Sequence, residues 1–315
     1  MKKIIAPIPV EVLKSELTPE RFVRYTNNSG NEIYIINHHN APNVMLEIGR
    51  LREESFRVGG GGTGEEIDID YYDTKENPYD QLLVWDPDNE LILGGYRFFN
   101  CQGSRCLNPK KKPDLSTTHL FHFSDNFIQN YLPHTIELGR SFVHADYQSG
   151  KEGRKGIYAL DNLWDGLGAL IVEHPEIKYF FGKITMYPGF HTLSRDLILY
   201  FMHKYFTDTE RLVVPIHPVP FLHNREMLDE ILTGSSYEEN YKIMSQFVRS
   251  NGSTIPPLFS SYMSLSASMK CFGTAINPEF GSVEETGILI TIGDIFEGRI
   301  DRHVQTYRKP GENND

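Results

Sequence analysis

Apolar positions along the chain follow two rhythms, a period of two and a period near 3.6, and each change of rhythm marks an element boundary. Ile33 to Ile36 predicts a short strand, after which Pro42 opens a segment whose apolar residues Val44, Ile48, Leu51 and Phe56 fall at helical spacing. That helix is expected to stop at Gly59-Gly60-Gly61-Gly62. The acidic stretch Glu65 to Asp73 is then expected to be a mobile loop able to gate a site, because ordering four glycines costs backbone entropy. Gln81 to Trp85 and Leu91 to Phe99, joined by Asp86-Pro87-Asp88-Asn89, predict an antiparallel hairpin. After a basic stretch at Lys110, Lys111 and Lys112, a short helix near Asn126 to Tyr131 leads into a strand over Thr135 to Val143. Its alternation puts Glu137 and Gly139 on one face.

The flexible basic turn Gly150 to Gly156 precedes a helical pattern at Ile157, Leu160, Leu163, Trp164, Leu167 and Leu170. Tyr179 to Met186 reads as a strand ended by Pro188-Gly189, and Leu193 to Phe206 as an apolar helix. Beyond Asp208, prolines separate helices near Met227 to Leu232 and Tyr237 to Val248, and two strands follow near Lys270 to Ile276 and Gly287 to Ile292. The order is mixed rather than strictly alternating, which predicts an α/β or α+β protein with antiparallel neighbours in its sheet. No internal repeat is visible.

Composition narrows this picture. The 315 residues, 39% hydrophobic and 23% charged, suit a folded globular chain with a sizeable core. With 31 basic and 42 acidic residues the net charge is -11, which argues against nucleic acid as a partner. No apolar run is long enough for a membrane span or a signal-peptide core. The three cysteines, Cys101, Cys106 and Cys271, form no CxxC pair, so neither a disulfide framework nor a metal site is expected, and a cytoplasmic location is. His38 and His39 are adjacent in a strand end and point to opposite faces, which also gives no metal site.

The segment Leu51 to Phe56, the hairpin ending Leu93-Gly94-Gly95-Tyr96-Arg97 and the strand Ile136 to Val143 together resemble the GNAT-fold amino-acid N-acyltransferases that make ornithine lipids and glycine lipids. Many of that family carry a haemolysin label. Phe181-Gly182-Lys183-Ile184, Tyr187-Pro188-Gly189, Ile255 to Tyr262 and Asn277-Pro278-Glu279-Phe280 are similar to the family's second half, so the resemblance runs from about Glu47 to Ile292. The first half is also similar to the acyl-homoserine-lactone synthases. The resemblance implies a GNAT-like mixed, mostly antiparallel central sheet flanked by helices, with a core over 30–206 and a C-terminal helical and strand extension over 207–306 packed on it, and the Pro, Gly, Asn and acidic residues that follow predict a disordered tail over 307–315. It implies transfer of a fatty acyl group, of the 3-hydroxy type, from acyl carrier protein to the amino group of a small amino acid, glycine first, in aminolipid synthesis. No bound cofactor is implied, and transient peripheral contact with a membrane stays open. Asn277 stands where ornithine-lipid relatives typically have Asp, and the four-glycine run is longer than expected, so the acceptor can differ.

Amide formation needs an uncharged amine, a thioester carbonyl and a proton acceptor, so a carboxylate beside the open end of a strand is the expected catalytic group. Glu137 is the candidate, with Arg140 beside it and the backbone of Ser141 to Val143 polarising the carbonyl. The other reading is a structural Glu137–Arg140 ion pair bracing the sheet. Arg52 and Arg97 either grip the acceptor's carboxylate or close an ionic network with Asp70, Asp73 and Asp80. Phe56 belongs to the same substrate-binding set by the resemblance. Lys151, Arg154 and Lys155 precede a helix start and can hold the phosphate of a pantetheine arm. Trp85, Tyr96 and Trp164 read as core, with an acyl tunnel as the alternative.

Three rivals stay in view. His191 and Asp196 match the spacing of a glycerolipid O-acyltransferase pair, but the second motif of that family is missing. A serine hydrolase would need a Gly-x-Ser-x-Gly elbow, which does not occur. A non-enzymatic, haemolysin-like membrane-active protein would need a spanning or cationic amphipathic helix.

Overall fold

The computed structural model describes residues 1–103, 105–148 and 154–308, and all side chains among them except those of 154–160. The strands are β1 (Phe22–Tyr25), β2 (Glu32–Ile36), β3 (Asp80–Asp86), β4 (Leu91–Asn100), β5 (Phe121–Phe123), β6 (Thr135–Val143), β7 (Tyr179–Met186), β8 (Val213–Pro215), β9 (Lys270–Asn277) and β10 (Val283–Thr291). The α-helices are α1 (Val10–Glu16), α2 (Pro42–Val58), α3 (Tyr71–Thr74), α4 (Ala145–Gln148), α5 (Arg154–Glu173), α6 (Thr192–Tyr205), α7 (Arg225–Ile231), α8 (Tyr237–Ser250), α9 (Pro257–Met263) and α10 (Glu297–His303).

An eight-stranded sheet runs in the order β1-β2-β3-β4-β6-β7-β10-β9, antiparallel throughout except where β6 meets β7. Period-two alternation sends Ile33, Leu82, Phe98, Ile136, Phe180 and Ile288 to one face, where α5, α6, α8 and α9 cover them. On the opposite face, Tyr34, Leu83 and Trp85 pack on α1 and α2, while Phe99, Phe181 and Leu289 pack against the small sheet of β5 and β8. The expected hairpin, the strand at Thr135 and the helices from Pro42 and Leu193 are all present.

Other expectations are corrected. β1 and α1 lie before residue 30 and belong to the same body, since β1 pairs with β2 and Leu13 is buried with α2. The segment 207–306, expected to pack on the core, contributes strands to the main sheet itself: its β10 pairs with β7 from Glu284–Met186 to Thr291–Tyr179. Tyr307, expected in the tail, is buried, and its hydroxyl donates to Glu173 at 2.6 Å. Residues 309–315 lie outside the described residues.

The acidic stretch is fastened rather than loose. Asp73 is fully buried between Arg52 and Arg97, Asp68 is fully buried against Arg140, and Asp70 caps α3. Three arginines on the sheet and α2 supply the compensating charge, which outweighs the entropy of the glycines. The glycine run itself is packed: Gly59 and Gly61 lie flat on the Tyr187 ring, where a Cβ would come within 2.9 and 2.8 Å.

Candidate active site

The site starts from a break in the sheet. β6 pairs with β7 over three positions, Thr135–Glu137 against Tyr179–Phe181, whereas β4 follows β6 to Val143 and β10 follows β7 to Met186. The two strands therefore part after Glu137 and Phe181. Gly182 sits at the fork, and a Cβ there would lie 2.8 Å from the carbonyl oxygen of Leu138. The diverging segments line a cavity of about 530 Å³.

Because neighbouring residues of a strand face opposite sides, the cavity passes through the sheet and has two unlike limbs. On the α5 and α9 side it is bounded by Leu138, Phe180, Leu258, Tyr262, Ile288 and Ile290, an apolar channel. On the α2 side it is bounded by Phe56, Arg140, Lys183, Thr185, Tyr187, Phe280 and Glu285. An acyl chain suits the first limb and a small zwitterion the second.

Arg140 reaches the polar limb through a bulge. Gly95 pairs with Phe142 and Arg97 with Gly139, so Tyr96 alone faces both Arg140 and Ser141. Arg140 has φ of 47°, a left-handed conformation that costs a non-glycine residue on the order of 1 kcal/mol or more. The extra residue shifts the alternation, so Phe142 packs on the α2 side. The Arg140 guanidinium lies 2.8 Å from Asp68, 3.7 Å from Asp70 and 4.4 Å from the Phe280 ring centre. Burial alone would raise the Asp70 carboxyl, but Arg97 and Arg140 outweigh it and hold the group below the usual carboxylate range.

Lys183 and Glu285 are 102 positions apart in sequence and are joined across β7 and β10 by a hydrogen-bonded ion pair. The Glu285 carboxylate is fully buried within the protein and also accepts from Thr185 Oγ1 at 2.9 Å and Asn277 Nδ2 at 3.4 Å. Burial pulls the Lys183 ammonium below its ordinary range, against the raising effect of Glu285. The Tyr187 phenol, half-buried and near the charge of Glu285, is pushed up to about 12.

Of the residues anticipated from sequence, Phe56, Arg140, Ser141 and Val143 line the cavity. Glu137 does not. Its carboxylate is fully buried on the far side of the fork and accepts hydrogen bonds from Tyr79 Oη, Ser116 Oγ at 3.3 Å and Thr117 Oγ1 at 2.7 Å. It does not pair with Arg140, which is bound to Asp68. The structure thus places Glu137 as a buried tie between β6 and the loop before β5, off the cavity wall where the proton acceptor was expected. Glu137→Gln is accordingly expected to lower the melting temperature by several degrees, since a hydrogen bond to a charged group contributes about 1.5–3 kcal/mol. The kcat of the folded variant should stay within about twofold of wild type; thermal denaturation beside steady-state kinetics checks both.

Arg52, Arg97, Asp70 and Asp73 close an ionic network among themselves, and Asp68 takes the place expected for Asp80, which accepts from Asn37 instead. These arginines are buried and ion-paired rather than lining the cavity, and among the described residues the Nε of each has no hydrogen-bond partner. Lys151 lies outside the described residues, as do the side chains of Arg154 and Lys155. Tyr96 lines the apolar limb, whereas Trp85 and Trp164 are core. His191 and Asp196 do not meet as a dyad: His191 caps α6 through Ser194, and Asp196 is bound to Arg195 and His223.

Sequence reasoning missed Lys183, Thr185, Tyr187 and Glu285. The available signal was Lys183 itself, a lone charge within an otherwise apolar strand. Several segments that carried the family resemblance, including Phe181 to Lys183, Tyr187 and Pro256 to Leu258, turn out to line the cavity.

A family model described as an Acetyltransferase (GNAT) domain matches residues 51–154. A Glycine N(alpha)-acyltransferase of Bacteroides thetaiotaomicron is 56% identical over 307 residues, covering 98% of this chain and 91% of that protein. A Glycine N(alpha)-acyltransferase of Phocaeicola vulgatus is 53% identical over 309 residues, covering 98% and 94%. Among solved structures, FeeM, an N-acyl amino acid synthase from uncultured soil microbes, aligns with a TM-score of 0.40 and 9% identity over 84% of this chain and 91% of that one.

Proposed function

We propose, from the premise that this chain belongs to the GNAT N-acyltransferase family of those two glycine N(alpha)-acyltransferases, that it transfers a 3-hydroxy fatty acyl group from acyl carrier protein to the α-amino group of glycine, in aminolipid synthesis. The observation that carries this reading is the cavity through the β6–β7 fork, apolar on one side of the sheet and charged on the other. A thioester carbonyl in the fork would have its chain in the apolar limb and the attacking amine in the polar one, the juxtaposition that acyl transfer requires. The glycine names of the relatives support the acceptor. The Tyr96 hydroxyl, buried in the apolar limb close to those of Ser141 and Tyr262, supports a hydroxyl near the carbonyl end of the chain.

The ion pairs at Arg140 and Lys183 provide cationic groups for the acceptor's carboxylate. Among the described residues no helix is long and apolar enough to cross a membrane. The separated His191 and Asp196 lend no support to O-acyl transfer.

The deciding measurement offers the purified chain 3-hydroxyacyl and unsubstituted acyl thioesters of acyl carrier protein and of coenzyme A, against glycine, serine, ornithine and lysine. Mass spectrometry should find N-acylglycine formed from the carrier-protein donor, with glycine preferred by about tenfold or more in kcat/KM. Product from none of the amino acids, with folded protein, would remove the reading; a different preferred acceptor or donor would correct that part alone. Purified protein lysing erythrocytes without substrates would support the haemolysin alternative.

A further inference from the structure

We propose that the buried Lys183–Glu285 pair is the acceptor's head-group site, with Glu285 taking a proton from the amino acid's ammonium while Lys183 and Arg140 hold its carboxylate. This rests on the amino-acid N-acylation just described and places the proton acceptor on the cavity wall, which Glu137 does not line.

The pair is a poor investment as mere scaffolding. Burying an ion pair costs its desolvation, and well-packed apolar residues would serve stability as well or better. Here it is set at the wall of a cavity next to the fork, on the two strands that define it. An ionised carboxylate offers about four lone-pair sites. Among the described residues, the hydrogen bonds to Glu285 come from Lys183, Thr185 and Asn277, three donors, which leaves it capacity for one more. Beside it, Asn277 Oδ1 is buried and, among the described residues, has no hydrogen-bond partner, a second acceptor suited to an N–H group. Lys183 in turn has three donors and spends one on Glu285. Lys183 and Arg140 both line the polar limb, 6.0 and 4.4 Å from the centre of the Phe280 ring, and the charge of Arg140 acts on Lys183.

At neutral pH an amino acid arrives as ammonium and carboxylate, and the ammonium has no lone pair with which to attack. Glu285 accepts one ammonium proton, and the freed nitrogen lone pair forms the C–N bond at the thioester carbonyl. The C–S bond breaks, the carrier's sulfur departs as thiolate, and a second nitrogen proton ends on that sulfur as thiol. Glu285 then gives its proton to solvent. The titratable groups around Glu285 are Lys183 on β7, Arg140 on β6 and Tyr187 beyond β7.

The test compares wild type with Glu285→Gln, using a 3-hydroxyacyl thioester of acyl carrier protein as donor and either glycine or hydroxylamine as acceptor. Hydroxylamine is uncharged at neutral pH and needs no base. Glu285→Gln should lose about a hundredfold or more in kcat with glycine at pH 7. It should recover progressively as pH rises into the α-amino range, and lose much less with hydroxylamine. Thr185→Val, which removes one hydrogen bond to the carboxylate and no charge, should move the acid limb of the kcat profile to higher pH. This variant decides the matter if Glu285→Gln does not fold. Wild-type turnover with an unaltered Glu285→Gln, or an unmoved acid limb in Thr185→Val, would overturn the assignment while leaving N-acylation standing. Absence of wild-type turnover would overturn both.

Discussion

Gly139→Leu is expected to abolish acyl transfer with the fold intact. Gly139 lines the cavity just past the fork, and a Cβ built there has no atom within 4 Å, so the space it would enter belongs to the substrate. A leucine side chain would stand where the thioester must lie between β6 and β7, and a displacement of about 1 Å at a reacting centre already costs about a hundredfold. We expect kcat/KM to fall by at least about that factor and the melting temperature to stay within about two degrees. Gly139→Ala, which adds one methyl to the same space, should retain measurable activity. Kinetics and thermal denaturation of the pair separate obstruction from damage. Equal activity in the leucine variant would mean that the reacting carbonyl lies elsewhere.

Arg140→Met is the second large effect, and it should strike stability and acceptor binding together. Asp68 is fully buried and ion-paired with Arg140, and removing one partner of a buried pair costs about 3–5 kcal/mol because the other charge is stranded. That corresponds to a drop in melting temperature on the order of ten degrees. The sign of its pH dependence follows from Asp68, whose carboxyl is already raised by burial in the wild type, against the pull of Arg140 and Arg52. An acid raised in the folded state costs stability above its unfolded pKa and nothing below it. Without Arg140 the carboxyl rises further, so the deficit should be full at neutral pH and should shrink as pH falls toward the unfolded carboxylate value. Asp70 runs the other way. Its depressed carboxyl stabilises the wild type above the unfolded pKa, and that contribution is lost as pH falls through the folded one. In the surviving folded protein the KM for the amino acid should rise about tenfold to a hundredfold, the worth of one charge-assisted hydrogen bond. Denaturation at several pH values and acceptor titrations read out the two effects separately.

Much of the fold was legible because it is written in local periodicity. The alternation of β3, β4 and β6 and the helical spacing of α2 and α6 each need only ten to twenty residues of context. α1 and β1 were missed since their seven and four residues offer too short a pattern. The site was harder for three physical reasons. Glu137 and Gly139 do share a face, as alternation requires, but whether that face meets a cavity or a cluster of hydroxyls is decided by Tyr79, Ser116 and Thr117, far away in sequence. Arg140 reaches the α2 side through a bulge, and a bulge on an arginine leaves no glycine to announce it. Lys183 and Glu285 are brought together by register across β7 and β10, a relation no spacing rule records. The acidic stretch was misjudged for a related reason: its composition resembles a solvated loop, and only the three arginines around it, two of them fully buried, show that the charges are neutralised inside the protein.

The run of four glycines is, in the folded chain, two interleaved demands rather than one. Gly59 and Gly61 are held by the flat of an aromatic ring, while Gly60 and Gly62 carry φ values of 89° and 93° that L side chains rarely adopt. Saturation mutagenesis should therefore find no replaceable position in it. Collision should forbid change at the odd numbers and torsion at the even ones, and shortening the run by one residue would set each demand against the wrong neighbour.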